Sequence, residues 1–181
     1  DYSKNTKCSA IYVACITTVK DNAQIVAKAS RHEAFVTGYL RIEGGSVRAE
    51  NIGSGFKYTL KKEFTETAQY AALKLSDYDL YSTNLKEGGP KIPMNNGKLE
   101  VYSELGLGIL VENTAPRPTR PGQEAPNVLE NIEITNSTLI ASVGTENTAV
   151  IKIVDPESQL IADDCTVYAG TDETGANATL S

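Results

Sequence analysis

The sequence has no tryptophan and only one histidine, one methionine and three phenylalanines, against nine tyrosines, in 181 residues. A single histidine, His32, with no Cys or His cluster at metal-ligand spacing excludes most histidine-dependent hydrolases and transition-metal centres. No Gly-x-Ser-x-Gly elbow is present, and Gly53-Ser-Gly55 lies between expected strands, with no helix start to hold a phosphate. Asp77, Asp79, Asp163, Asp164, Asp172 and Glu173 offer oxygen ligands, but not in the pattern that closes a calcium loop. Long apolar runs are also missing. Ile11–Ile16 falls far short of the roughly 20 residues that cross a bilayer, so no membrane span is expected. Lys and Arg number 17 against 23 Asp and Glu, a net charge of −6, which argues against a nucleic-acid coat. The expectation is a protein that is not an enzyme, with no cofactor and no bound metal.

What is present is a polar-rich globular composition, 40% apolar and 22% charged. The chain starts at Asp1, as expected of a secreted or cell-surface protein whose leader has been removed. Cys8 and Cys15 lie seven apart with no turn between them, beyond the roughly 7 Å Cα limit of a disulfide. A bridge would therefore need Cys165. Cys8 and Cys165, both at polar edges of apolar runs, form the candidate pair; three reduced thiols are the alternative. Asn136 and Asn177 open sequons and are candidate glycosylation sites.

Along the chain, residues 9–19 are β-branched and aromatic, with both alternating sets apolar, which predicts a strand buried on both faces. Residues 34–43 and 46–52 read as partners across Gly44-Gly45, and Asn95-Asn96-Gly97 introduces another strand at 98–103. Ala68, Ala71, Ala72 and Leu75 have helical spacing and predict one short helix over 65–76. Residues 113–127 hold four of the seven prolines and read as an extended arm or linker. Short strands follow at 128–135, 139–143, 149–154 and 166–169. No period of twenty to fifty residues is evident. The expected fold is all-β, an antiparallel sandwich or barrel with one or two short helices. Its expected divisions are a main domain over 1–112, the arm over 113–127, and an acidic part over 128–181. That last part is expected to pack on the first or on a neighbouring subunit.

Charge divides unevenly. Residues 1–114 carry 14 cations and 13 anions, whereas residues 115–181 carry 3 and 10. Two unlike surfaces on one chain suit head-to-tail contact between copies, although an acidic surface also serves solubility. The two-faced first strand can be central to its own fold or enter a neighbour's sheet. With no catalytic apparatus, the expected function is a self-assembling structural subunit of an extracellular filament, pilus or virion surface. Ile11, Tyr12, Val13, Ile16, Val19, Arg117 and Arg120 would make contacts with other copies of the chain. The alternative is a monomeric secreted adhesin or carbohydrate-binding module, in which surface tyrosines would stack on a glycan.

Overall fold

The structure is a computed structural model that describes residues 9–29, 32–52, 70–76, 90–104, 106–112, 131–144 and 149–171. Among these residues every regular element is a strand. The first four are β1 (Ile11–Lys20), β2 (Gln24–Ala29), β3 (Phe35–Glu43) and β4 (Ser46–Asn51). Five follow in the middle: β5 (Leu73–Ser76), β6 (Ile92–Asn95), β7 (Lys98–Ser103), β8 (Ile109–Glu112) and β9 (Ile132–Thr135). The last four are β10 (Thr138–Val143), β11 (Ile151–Ile153), β12 (Leu160–Asp163) and β13 (Thr166–Gly170).

All strand pairings are parallel. One five-stranded sheet runs β13-β10-β7-β4-β2, so each member is joined to the next one along the chain. The other sheet has eight strands. In it β1 pairs with β3, and the two halves of β3 pair separately with β5 and β6. From there the sheet forks into the branches β5-β8-β11 and β6-β9-β12. The chain therefore winds as five stacked coils: β1-β2, β3-β4, β5-β6-β7, β8-β9-β10 and β11-β12-β13. This is a parallel β-solenoid.

The antiparallel sandwich or barrel is thus corrected, while the all-β expectation holds. The reason lies in the turns. Gly44-Gly45, Asn96-Gly97, Asn136-Ser137 and Asp164-Cys165 each link two strands by two residues, which in sequence reads as a hairpin. A type I′ hairpin needs positive φ at both turn residues. Here only the first has it: Gly44 (78°), Asn96 (49°), Asn136 (48°) and Asp164 (50°). One left-handed residue turns the chain through a corner into the other sheet instead of reversing it. The inter-coil ladder continues through these corners, with Lys98 N–H donating to Gly45 O, Thr138 N–H to Gly97 O and Thr166 N–H to Ser137 O, each at 3.0 Å.

The coils also overturn the reading that nothing repeats. The corner residues Asn22, Gly44, Asn96, Asn136 and Asp164 are unequally spaced because the strands are separated by segments of different length. One such segment holds the proline-rich residues 113–127. It lies outside the described residues, but β8 before it and β9 after it belong to the same coil.

Alternate residues of both sheets fill a single core. Phe35, Leu40, Ile42, Leu73, Ile109 and Ile132 are all fully buried. The expected helix over 65–76 is replaced at its end by β5, where Leu73 and Leu75 point inward with period two; residues 65–69 lie outside the described residues. Helical spacing was the misleading signal: Ala71 and Ala72 are buried as neighbours, so the apolar pattern there belongs to no single period.

Candidate assembly interface

A stack of coils has two ends. Among the described residues, β1 pairs only with β3 and β2 only with β4, so one edge of each is open. At the other end β11, β12 and β13 pair only with β8, β9 and β10. Each open edge presents a row of backbone donors and acceptors, a template for another strand.

Exposed large apolar side chains gather at those same ends. Tyr12 (56%), Ile16 (39%) and Val26 (56%) belong to the first coil, and Leu160 (37%), Ile161 (43%) and Tyr168 (42%) to the last. Val154 directly follows β11, and among the described residues the one other exposed large apolar side chain is Ile52, just past β4. Soluble solenoids ordinarily close their stacks with terminal repeats whose outer side is polar. These two coils instead mix exposed apolar side chains with charged ones.

The first strand itself differs from expectation. Ile11 and Val13 pack against the core, and Val19 is 2% exposed, while Tyr12 and Ile16 face outward. Among the described residues it is therefore buried on one face only. Opposite Gly38, β1 carries the two residues Ala14 and Cys15, a bulge between Val13 and Ile16. Of the contact residues expected from sequence, the structure brings Tyr12 and Ile16 to the surface. Arg117 and Arg120 lie outside the described residues.

The electrostatics of the two ends are opposite. The first coil, residues 11–29, carries Lys20, Lys28 and Asp21; the last, residues 151–170, carries Asp155, Glu157, Asp163 and Asp164 against Lys152. Lys20 lies 2.9 Å from Glu43 in the next coil, and both are largely exposed. That hydrogen bond, with the charges of Lys20 and Arg41, holds the Glu43 carboxyl below its ordinary value against the opposing effect of burial. On β4, Glu50 is buried and takes ion pairs from Lys28 at 2.7 Å and from Arg48. Burial pushes its carboxyl up most strongly of any single cause, but the hydrogen bonds and charges of Lys28 and Arg48 together outweigh it, and the net direction is down. Asp155 opens the turn between β11 and β12. It accepts hydrogen bonds from Glu157 N–H at 3.0 Å and Ser158 Oγ–H at 2.8 Å, which hold its carboxyl low.

The other candidates fall as follows. His32 stands edge-on to Tyr70 at 4.7 Å, and its carbonyl accepts Asn51 Nδ2–H at 2.8 Å, which makes it a packing residue. Lys91 is fully buried with Nζ 4.2 Å from the centre of the Tyr39 ring, a cation–π contact inside the coil. No group of three His, Cys, Asp or Glu able to hold a metal occurs among the described residues. Cys165 is a free thiol at the last corner, 3.2 Å from Ile134 O and 3.0 Å from Asp163 O. Its expected partner Cys8 lies outside the described residues, as do Asn177, Asp77, Asp79, Asp172 and Glu173. Asn136 is exposed, but its place is accounted for by the corner it makes. No helix among the described residues is long and apolar enough to cross a membrane.

The open ends were missed from sequence because their meaning depends on which strands stack. One signal was available: Ile42 to Val47, Met94 to Leu99 and Ile134 to Leu139 each place two core residues five apart around a corner. No family model, no curated protein and no solved structure matches this chain.

Proposed function

We propose that this chain is a structural module that joins copies of itself end to end, as the building unit of an extracellular filament or surface layer. The observation that carries the reading is the gathering of exposed apolar side chains on the two coils whose strand edges are open. Natural β proteins cover, twist or charge such edges to prevent association. Here the edges continue parallel ladders, apart from the bulge in β1, and Tyr12, Ile16, Val26 and Tyr168 stand exposed on them beside the charged Lys20, Lys28 and Asp163. Addition of one edge to another suits these ends better than exchange of strands, since β1 is already paired along most of its length with β3 of its own chain.

Negative-stain microscopy of the purified full chain tests this directly. Rods of constant width and variable length are expected. Uniform particles the size of one chain at every concentration contradict it, and would turn attention to the monomeric glycan-binding alternative.

A further inference from the structure

We propose that the copies stack head to tail in a single register, with β11, β12 and β13 of one copy laid along β1 and β2 of the next. This rests on the end-to-end reading above and specifies its partner surface. The register follows from the ladders. Within one chain the column that begins at Lys20 runs through Glu43, Asn95 and Thr135 to Asp163. A further coil added at the same spacing places Asp163 of one copy beside Lys20 of the next. Lys20 then stands between two carboxylates, Glu43 of its own chain and Asp163 of its neighbour.

The inward columns agree. Ile11, Phe35, Leu73, Ile109 and Ile151 form one column, so Ile151 meets Ile11 of the next copy. By the same pairings Ile153 meets Val13, and in the five-stranded sheet Val167 meets Ile25. Each junction continues the core with an aliphatic side chain on both sides. On the outer face the column from Val26 through Arg48, Glu100 and Ile140 ends at Tyr168. Two exposed apolar residues, Val26 and Tyr168, thereby cover each other. A slip of one residue would exchange core and surface positions along every strand of the junction. Head-to-head or tail-to-tail stacking would instead run the facing strands antiparallel, break each of these columns and bring together two coils of like net charge. The charge of the ends therefore selects polarity, and the side-chain pattern selects register.

Two experiments test this. In the native chain, Asp163→Lys is expected to weaken self-association roughly tenfold, since it replaces an attraction by a repulsion. The double variant Asp163→Lys with Lys20→Glu is expected to recover most of it, with circular dichroism confirming that each variant keeps its fold. Second, with Cys8, Cys15 and Cys165 changed to serine, Val26→Cys and Tyr168→Cys chains are mixed and oxidised. Neighbouring strands lie about 4.8 Å apart, within disulfide reach, so a mixed covalent dimer is expected. Val26→Cys or Tyr168→Cys chains dimerising mainly with themselves, or association indifferent to Asp163→Lys, would overturn the register while leaving self-association intact. Absence of any association in the unmodified chain would instead sink the reading on which it rests.

Discussion

Gly97, at the corner of the third coil, lies so close to Ile42 of the second that a Cβ there would come within 2.5 Å of the Ile42 Cγ2. The same position in the fourth coil is held by the small Ser137, whose hydroxyl accepts the Gly97 N–H at 3.0 Å. The corners are thus tight because coils stack through them, and side-chain size is limited by the coil next door. Since Ile42 sits at the heart of the core, it has little room to yield. Gly97→Ala is expected to destabilise the fold by about 1–3 kcal/mol, the usual cost of overpacking. Urea unfolding measures it; an unchanged midpoint would mean that the coils do not meet at Gly97.

Asn96 tests the corner geometry from the other side. Its φ of 49° is left-handed, a region that glycine and asparagine tolerate and β-branched residues do not. Asn96→Val is expected to cost about 1–2 kcal/mol and Asn96→Gly close to nothing. Equal stability of the two variants would exclude a left-handed residue at that corner.

Glu50 makes stability depend on pH. Its carboxyl is held below the ordinary value by Lys28 and Arg48 despite burial. A depressed folded-state pKa contributes stability that is fully present above the unfolded value of roughly 4.3 and lost as pH falls through the folded value. The melting temperature is therefore expected to fall steeply below that point, and less steeply in Glu50→Gln. Parallel acid profiles for the two proteins would remove Glu50 from this role.

Cys165 is a free thiol on the last coil, whereas Cys15 lies on the first. Four coil steps separate these coils, about 19 Å at the usual strand spacing, too far for a bridge within one chain. Alkylation without reductant, read by mass spectrometry, is expected to label Cys165. A Cys15–Cys165 peptide from monomeric material would contradict the stacking order.

Much of the strand content could be read from the residues. The alternation of Phe35–Glu43, the run Lys98–Ser103 and the apolar pairs of Thr138–Val143 all appear as strands where expected. What could not be read was the direction of pairing. Asn96-Gly97 has the composition of a type I′ hairpin turn, and the glycine does not take the second positive φ that this turn requires. The repeat was hidden because segments of unequal length, such as the one between Glu112 and Ile132, separate the strands in sequence. At the candidate interface, the apolar character of both faces of β1 and the acidity of the last third were visible in sequence. That one face of β1 would be left open, and that Asp163 ends the column begun by Lys20, needed the ladder itself.

Sedimentation velocity of the full chain over a wide concentration range, beside the outer-face variant Tyr168→Asp, tests end-to-end self-association most directly. The native chain is expected to show sedimentation coefficients that rise with concentration as rods lengthen, and Tyr168→Asp to stay close to the value of a single chain while keeping the same circular dichroism. A native chain that sediments as one monomeric species throughout would contradict the account.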